Sequence, residues 1–588
     1  MVDDGRFRVL CFDLTESKGE VVSFGRVEDI LGGSGLAAAL YRSYGAADKD
    51  AFHSRQPLIF AIGPLTAYFP LMSKVVLGFK SPYNQQYTES HAGGRLALAM
   101  RFCGYDALVI TGVAREPSCL IVGGHEPELR DVHYLWGQDV FSAGKLLRRI
   151  HAKGHGHRSI LRIGPAGENL VSYASVNVDT YRHFGRLGSG AVMGSKQLKA
   201  IIVTGEKSID LPGGKAYAGL YKAMYRECTQ STAMKKYHDL GTAENLAVLN
   251  EKKSLPWYNL KATSDKKIEN ISGESFAEKL LLRQTACAGC PVGCIHVGLL
   301  RQQFAHDHEY LYRQVSYDFE PIFAAGTMIG VTQPSEVLTL LEETDKAGLD
   351  VMSTGVSLAW AAEAFEKGLV SERETLVPLR FGDSAHFVAA VRHLANRTND
   401  FYSLLGKGAK HAAEHYGGVD FACVLGQETA GYATGEVFLV SQAYGFRHSH
   451  LDSAGYAYDQ KGADRDVQRA VNYLVEEETQ RVQLTCMVSC LFARKIYSTD
   501  RLQEALRAVG METASDNLCA ATKTVQKERW RLKFDTGYDP GQIGIPKRLT
   551  GIVTARGPLD DDFLQALTKG YQDAVLNLTG RSKLNDAW

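Results

Sequence analysis

The residues best suited to chemistry in this sequence are cysteines that recur at short spacing. The segment CAGCPVGC places Cys287, Cys290 and Cys294 in a C-x2-C-x3-C pattern. Its glycines and proline predict a tight, non-helical loop that turns three sulfurs towards one centre. The segment TCMVSC supplies Cys490, four residues after Cys486. Cysteines at these spacings predict a metal centre.

Two kinds of metal centre fit these cysteines. Structural zinc takes four Cys or His ligands, usually with a second closely spaced pair nearby. No such pair follows here, although His296 offers one imidazole. Iron–sulfur clusters often combine a compact triplet with one distant cysteine, and Cys490 is available for that position. The spacing therefore favours a cluster held by Cys287, Cys290, Cys294 and Cys490 over zinc.

A glycine-rich segment, RHFGRLGSGAVMGSKQ, offers a second candidate site. It contains Gly185, Gly188, Gly190 and Gly194, but Gly-Ser-Lys follows where a Walker loop needs Gly-Lys-Ser/Thr. The dinucleotide fingerprint G-x-G-x-x-G also fails, because no matching triplet opens a helix after a strand. Two interpretations stay open: a close-packed turn, or a surface of backbone N–H groups for an anionic cofactor.

Two further segments have features of a binding site. In HAGGRLALAM, Gly93 and Gly94 open an apolar helix whose N-terminus could hold an anion. Together with the first glycine-rich segment, this predicts a cofactor with two phosphate-bearing arms. Asp345 in DKAGLD lies in the predicted last turn of a helix, where the helix dipole opposes its charge. Either solvent or the amino group of a bound heterocycle would stabilise it there.

The elements that position these residues change character along the chain. Up to Gly205, short apolar runs such as FRVLCFDLT, LIFAIGPLT and AIIVTG alternate with Gly and Pro turns, which predicts strands. From Lys215 onward the apolar spacing is helical, as in SEVLTLLEETDKAGLD. The fold class predicted is α+β: a β-rich N-terminal cofactor-binding domain (1–205) and two mainly α-helical domains (206–415 and 416–588) enclosing the metal site.

Composition limits the partners. Lys+Arg and Asp+Glu are balanced at 66 each in 588 residues, so no basic surface for nucleic acid or an anionic membrane is expected. The N-terminal segment MVDDGRFRVLCFDLTESKGE lacks an export signal, and no apolar run reaches membrane-spanning length. Eleven cysteines, an odd number, do not indicate a disulfide framework in a chain this long. We expect a cytoplasmic protein, with its oligomeric state open.

Taken together, these segments resemble the aldehyde:ferredoxin oxidoreductase family of tungsten enzymes. The matches run in order along the chain: GGSGLAAAL, IGPLTAYFP, KSP, AGGRLALAMRFCGYDALVITG, IGPAGENLVSYA, GRLGSGAVMGSKQLKAI, CAGCPVGC, FEPIFAAGTMIG, DKAGLD and TCMVSCLF. The resemblance implies tungsten held by two pyranopterins, a magnesium ion bridging their phosphates, and one [4Fe-4S] cluster. It also implies a β-rich first domain that carries the pterins beneath two helical domains.

The resemblance assigns roles to individual residues. It places the cluster ligands at Cys287, Cys290, Cys294 and Cys490, and pterin contacts at Lys74, Ala92, Gly93, Gly94, Arg182, Gly185, Arg186, Asp345, Gly348, Leu349 and Ser489. The backbone near His91 and His183 would face the magnesium ion. Glu320 in FEP would lie beside tungsten, with a histidine partner in FRHSHLD that is best matched by His450, with His448 as second choice.

The sequence departs from the family pattern at three places. The second DxxGLC motif is TCMVSC here, so its acid and its Gly-Leu are absent although Cys490 remains. Lys74 stands where arginine is usual, which replaces a bidentate fork with a point charge. Bulkier residues also replace the usual Arg-Gly-Gly-Cys before His450. These changes predict a different hold on one pterin and a substrate pocket unlike that of a generic aldehyde oxidase.

The resemblance implies oxidation of an aldehyde to a carboxylic acid, or the reverse, with Glu320 and His450 moving protons. Electrons would leave through the cluster to ferredoxin or to an iron–sulfur partner subunit. Two alternatives remain open. One is a tungsten catalytic subunit like that of the benzoyl-CoA reductases, and the other is a non-catalytic protein that uses its cluster only for electron transfer.

Overall fold

Two six-stranded mixed sheets occupy the first third of the chain. The computed structural model describes residues 5–150, 156–306, 308–462 and 464–581, so the first four residues of the segment discussed for export lie outside it. The strands are β1 Arg6–Asp13, β2 Lys18–Arg26, β3 Leu58–Ala61, β4 Val75–Lys80, β5 Tyr87–Ala92, β6 Ala107–Thr111, β7 Ser118–Val122, β8 Glu128–Asp131, β9 His157–Arg162, β10 Val176–Val178, β11 Arg182–Phe184 and β12 Leu198–Gly205. Their orders are β2-β1-β6-β3-β4-β5 and β11-β10-β9-β12-β7-β8.

Successive side chains along a strand point to opposite faces of the sheet and pack into different hydrophobic cores. In β1, Phe7 and Val9 pack into one buried cluster, whereas Leu10 and Phe12 pack into another. The second cluster contains apolar residues of both sheets, so the sheets share a core, as expected for strands with two apolar faces. Six helices connect these strands: α1 Val27–Ile30, α2 Gly33–Tyr44, α3 Leu96–Cys103, α4 Val140–Ile150, α5 Pro165–Glu168 and α6 Ser189–Ser195.

The remainder of the chain is mainly helical, and the α+β fold class is confirmed. Its helices are α7 Lys215–Gln230, α8 Thr232–Asp239, α9 Asn245–Glu251, α10 Ile268–Ile271, α11 Gly273–Leu280, α12 Phe319–Ala325, α13 Pro334–Ala347, α14 Val351–Glu366, α15 Glu372–Thr375, α16 Ser384–Asn396, α17 Asp400–Leu405, α18 Ala409–Tyr416, α19 Glu436–Tyr444, α20 Gly455–Gln460, α21 Val467–Cys486, α22 Thr499–Ala508, α23 Glu512–Asp535, α24 Lys547–Thr550 and α25 Asp561–Thr579. No helix in the described ranges is both long and apolar enough to cross a bilayer.

Helix α14 forms the centre of this helical region. Residues Ser353 to Ala364 lie along it and almost all are buried, because its sequence is small or apolar on every face. The Asp350 carboxylate caps its N-terminus by accepting hydrogen bonds from the amides of Met352 and Ser353 at 3.1 Å. This cap fixes α14 directly after the DKAGLD segment.

A small antiparallel sheet interrupts the helices and is an addition to the predicted architecture. Its strands are β13 Leu281–Thr285, β14 Ile295–Ala305 and β15 Glu309–Tyr317, and a short hairpin, β16 Val553–Thr554 with β17 Gly557–Pro558, follows near the C-terminus. The cysteine triplet forms the connection from β13 to β14. Glu320 lies in the first turn of α12, the helix that follows β15. This sheet therefore positions both the cysteine loop and the glutamate.

Candidate active site

The cysteine loop is held against two other segments by backbone hydrogen bonds. Gly289 and Gly293 have φ angles of +70° and +68°, which favour glycine and let the loop turn tightly. The Leu71 amide donates to the Gly289 carbonyl at 3.1 Å, and the Leu71 carbonyl accepts from the Cys490 amide at 3.0 Å. One residue of the N-terminal region thus joins the triplet to the distant fourth cysteine.

Two cations lie among these sulfurs. An Arg182 Nη is 3.9 Å from Cys294 Sγ. Burial lowers the pKa of Lys74, but the sulfurs of Cys490 and Cys287 raise it more, and its net pKa is above the usual value. Burial raises the pKa of Cys287, yet Lys74 and Arg182 bring it below the usual range. The two predicted basic contacts are therefore built into the cysteine site.

Cys290 and Cys294 need further positive charge to be thiolates. Burial, assisted by neighbouring sulfurs, raises the pKa of Cys290 to about 12 and that of Cys294 to about 11. A cationic metal centre would supply that charge. Across the ranges that the structure describes, no three His, Cys, Asp or Glu side chains converge on a position for a single metal ion. Cluster ligands bind different iron atoms, so they do not require that convergence.

The turn between β5 and α3 lies directly on this centre. A Cβ atom added to Gly93 would be 2.6 Å from Cys287 Sγ and 3.2 Å from Lys74 Nζ. The Ala288 amide also donates to the Gly94 carbonyl at 3.0 Å. The sequence predicts that the N-terminus of α3 suits an anion. In the structure a carboxylate of the chain itself occupies that position, because Asp179 Oδ2 accepts a hydrogen bond from the Arg95 amide at 3.0 Å.

The glycine-rich segment combines both interpretations that its sequence left open. Cβ atoms at Gly188 and Gly190 would overlap the carbonyl oxygens of Ser172 and Ser175, and a Cβ at Gly194 would overlap that of Gly167 in α5, so these glycines permit close packing against both segments. Gly185 differs, since a Cβ there would meet nothing within 4 Å. Only the beginning of the segment therefore leaves its backbone open to a ligand.

Asp345 has a protein partner at the end of α13. Its Oδ1 is 3.3 Å from Nε2 of His183 on β11. Gly348 ends the helix in the left-handed conformation, and its carbonyl accepts from the Ser175 amide at 2.8 Å, while Leu349 pairs with Ala174 as an isolated bridge. The predicted acid, its following Gly-Leu and the β10–β11 hairpin thus meet at one place.

A cavity of ≈ 90 Å³ lies at this meeting point. Arg182, His183, Cys294, Asp318 and Asp345 are among its lining residues. It therefore brings together predicted pterin contacts and a predicted cluster ligand, although these residues come from three separate regions of the sequence.

Glu320 and His450 form the other half of the site. His450 Nε2 is 3.1 Å from Glu320 Oε1, and the Tyr432 hydroxyl donates to the same oxygen at 3.4 Å. Burial raises the pKa of Tyr432 well above its ordinary value, so this phenol remains a donor. The Tyr432 and His450 rings lie 5.1 Å apart between centroids. One oxygen of the Glu320 carboxylate thus contacts both the His450 imidazole and the Tyr432 phenol.

His448, the second choice, lies elsewhere and is held inside the protein. Its Nδ1 is 2.8 Å from the Ala443 carbonyl, and its Nε2 is 3.0 Å from Lys533 Nζ. Burial and the Lys533 charge lower its pKa to about 3. The backbone of His448 has φ +51°, so the chain reverses locally and turns the two histidines to different surroundings.

The remaining predicted contacts are less directly aimed at a ligand. His91 lies between Glu89 Oε2 at 3.2 Å and an Arg447 Nη at 3.3 Å, and burial with Arg447 lowers its pKa to about 4. Ala92 ends β5, and Ser489 directs its hydroxyl to the carbonyl of Cys490 at 3.5 Å.

Asp318 is a site residue that the sequence analysis missed. It precedes α12 by one residue, its Oδ1 is buried without a partner in the described structure, and burial followed by Glu320 raises its pKa to about 7. Its position two residues before Glu320 was the only available signal. The sequence analysis also missed Tyr432, because nothing in its local sequence distinguishes it from the rest of the 27 tyrosines.

Comparisons with known proteins match this geometry to a family. The N-terminal domain model of aldehyde ferredoxin oxidoreductase matches residues 9–205, and the model of its domains 2 and 3 matches residues 219–583. This chain belongs to the aldehyde ferredoxin oxidoreductase family. It is 31% identical over 546 residues to a tungsten-containing aldehyde ferredoxin oxidoreductase of Pyrococcus horikoshii, covering 87% of this chain and 85% of that protein.

Two other proteins similar to this chain have names that describe different activities. An aliphatic sulfonate oxidoreductase, WOR-like subunit, of Pyrococcus furiosus is 27% identical over 480 residues, covering 78% of this chain and 74% of that one. Among solved structures, the active-site complex BamBC of benzoyl coenzyme A reductase matches with a TM-score of 0.80 at 18% identity, covering 97% and 95% of the two chains. That likeness establishes the fold.

The site also meets the chemical needs of the family's cofactors. Four of its buried polar atoms have no partner within the described structure: Arg182 Nε, Arg186 Nη1, Asp318 Oδ1 and His450 Nδ1. Arg186 otherwise bonds Asp350 at 3.2 Å and the Glu428 carbonyl at 2.7 Å. A phosphate-bearing cofactor would satisfy the unpartnered guanidinium donors and could approach the open backbone at Gly185. The four clustered thiols fit an iron–sulfur cluster beside it.

Proposed function

We propose that the protein oxidises an aldehyde to a carboxylic acid, or catalyses the reverse reaction. The observation that carries this proposal is the contact between Glu320 and His450 beside the cavity that collects Arg182, His183 and Asp345. A proton-transfer pair next to donors for a phosphate-bearing cofactor is what such an oxidation needs. Family membership supports the same reaction class.

The cofactors proposed are tungsten with two pyranopterins and a magnesium ion, which the backbone near His91 and His183 would face. Arg182, Arg186 and the Gly185 backbone would hold phosphate oxygens, and Asp345 would accept from the pterin amino group. Cys287, Cys290, Cys294 and Cys490 would bind a [4Fe-4S] cluster, which Lys74 would neighbour. When bound, the tungsten group supplies two-electron redox chemistry, and the cluster supplies single-electron transfer.

The chain's own residues control protons. Glu320 Oε1 and His450 Nε2 are close enough to exchange one proton directly, and Tyr432 holds the carboxylate in place by donating to the same oxygen. His450 Nδ1 is buried and has no partner within the described structure, so it is available to a substrate or to water. The pair can therefore take a proton from the reacting group and pass it onward.

Electrons would then leave one at a time through the cluster. We propose ferredoxin or an iron–sulfur partner subunit as the acceptor. Two of the comparisons support a partner, because one relative is named as a subunit and the solved benzoyl coenzyme A reductase structure is a complex of BamB and BamC.

Replacing Glu320 by Gln tests the proposal. The variant keeps the shape of the side chain but cannot accept a proton, so kcat should fall at least about a hundredfold while tungsten content is unchanged. The anaerobic assay follows reduction of an oxidised viologen dye by a panel of aldehydes and, in parallel, oxidation of the reduced dye in the presence of an aryl-CoA thioester. Glu269→Gln, an exposed position, is the matched control and should retain full activity.

Full activity in Glu320→Gln would remove the glutamate from the reaction. Turnover of the aryl-CoA thioester alone, with no aldehyde accepted, would replace the proposed reaction by ring reduction.

A further inference from the structure

A second, larger cavity lies in the C-terminal part of the chain. Its volume is ≈ 570 Å³, which is within the usual range for small-molecule sites. It is bounded by α20, by the second half of α21 and by the segment 494–499 that follows Cys490. The proposed cofactor contacts are not among its lining residues.

The lining of this cavity is strongly basic. Four cationic side chains border it, against one carboxylate; they are Lys461, Arg481, Arg494 and Lys495, with Glu477 as the acid. Arg481 lies 3.3 Å from that carboxylate and donates to the Leu451 carbonyl at 2.8 Å. The single acid is therefore already paired.

The other three cations form no salt bridge within the described structure, and only Arg494 among them is acted on by Glu477, at longer range. Arg494 donates to the Leu491 carbonyl at 3.0 Å and lies 3.5 Å from the Tyr237 hydroxyl. Lys461 Nζ lies 5.9 Å from the Tyr473 ring, and that ring also borders the cavity. Unbalanced positive charge around a concave surface concentrates anions there.

One aromatic ring separates this cavity from the catalytic pair. Tyr456 lines the cavity and stacks on Tyr432 with centroids 4.6 Å apart, and its ring is 6.0 Å from that of His450. Tyr432 in turn donates to Glu320. A molecule in the cavity would thus have its far end beside cations and its near end beside the proton-transfer pair.

We propose that this cavity binds the substrate and selects aldehydes that carry a carboxylate. The inference rests on the proposed function and names its substrate class. Lys461, Arg494 and Lys495 hold the carboxylate, and the aldehyde group points past Tyr456 towards Glu320. In the reaction the aldehyde carbon gains an oxygen from water, and two electrons and two protons leave. The viologen dye used in the assay accepts the electrons.

The test compares 4-formylbenzoate with 4-methylbenzaldehyde, which has similar shape but no charge. The holoenzyme is assayed anaerobically with benzyl viologen. We expect kcat/KM to be at least about tenfold higher for 4-formylbenzoate and to fall towards the neutral value as salt rises. In Arg494→Gln/Lys495→Gln, the ratio of the two kcat/KM values should fall at least about tenfold. Lys547→Gln, an exposed lysine elsewhere, should leave the ratio unchanged.

Turnover of both aldehydes with the same ratio in the wild type and the double variant would overturn the inference but not the proposed function. If neither aldehyde is oxidised, the proposed function fails, and calorimetry with benzene-1,4-dicarboxylate decides on the cavity. Binding by the wild-type holoenzyme that is weakened in the double variant would support an anion site. Equal binding, or none, would overturn it.

Discussion

His448 and His450 are two residues apart, yet their side chains have opposite surroundings. His450 is next to a carboxylate and keeps one nitrogen without a partner in the described structure. His448 is saturated by the Ala443 carbonyl and Lys533, and a Cβ added to Gly426 would overlap its ring. One imidazole is therefore available for chemistry, whereas the other is a packed and neutral part of the core.

The acid sensitivity of folding should show this difference. The pKa of His448 is about 3 in the folded protein, below the roughly 6.5 of an exposed histidine, so the unfolded chain binds more protons. Its contribution is complete above pH about 6.5 and is lost as the pH falls towards 3. His448→Asn should be less stable than wild type at pH 8, and the gap should shrink by roughly 2 kcal/mol by about pH 5.

The measurement is the unfolding midpoint across that pH range, with tungsten loading checked. His450→Asn should instead lose turnover. A constant gap for His448→Asn would mean that His448 is not held neutral in the fold.

At the scale of the element, one short glycine segment performs two tasks. The α6 glycines permit contact between backbones, while Gly185 before the helix leaves its backbone open. Alanine at Gly194 would overlap the Gly167 carbonyl, which cannot move without shifting α5. Alanine at Gly185 would meet nothing within 4 Å.

Gly194→Ala should therefore destabilise the protein by about 1–3 kcal/mol, whereas Gly185→Ala should leave its stability within about 0.5 kcal/mol. Gly185→Ala should instead reduce tungsten content, because its methyl group would occupy space meant for the cofactor. Thermal unfolding and metal analysis of both variants check this. Equal stability of the two would contradict the packing described for α6.

The elements also explain what the sequence could predict. The cysteine loop could be predicted from the sequence because the spacing of ligands within eight residues is a local property. The end of the helix at Gly348, after Asp345, could be predicted for the same reason. The β13–β15 sheet was missed because its strands, including IHVGLLRQQFA, lie in a region where helical spacing dominates on both sides. Asp318, Tyr432 and Tyr456 could not be chosen, because burial and ring contacts arise only when distant segments meet.

At the scale of the whole molecule, one buried ion pair joins the N-terminal sheet to the C-terminal helices. Arg529 on α23 donates to Glu89 on β5 at 2.7 and 3.1 Å. The guanidinium holds the pKa of this carboxyl well below its usual range despite burial. Glu89 also accepts from the Ser34 hydroxyl at 2.7 Å, and the Ser34 oxygen lies 2.9 Å from the hydroxyl of Thr485, the residue in place of the missing acid of the second DxxGLC motif.

Replacing Glu89 by Gln should destabilise the protein by about 3–5 kcal/mol, since Arg529 stays buried and keeps only the longer-range carboxylates Glu478, at 3.9 Å, and Asp452 among the described residues. Glu528→Gln is the matched control, because Glu528 pairs with Arg42 at 2.7 Å between α23 and α2 on the surface. That substitution should cost less than about 1 kcal/mol. Similar unfolding midpoints for the two variants would show that the buried pair does not hold these regions together.

We propose that one chain holds a tungsten pterin group beside an iron–sulfur cluster. Metal analysis tests this proposal. The protein is purified anaerobically from cells that were supplied with tungsten and molybdenum, and the amounts of tungsten, molybdenum, iron, zinc and magnesium per chain are measured. We predict about four irons and one tungsten per chain, which matches one Cys-ligated [4Fe-4S] cluster. Iron without tungsten or molybdenum would leave only an electron-transfer protein, and zinc alone would contradict the cluster.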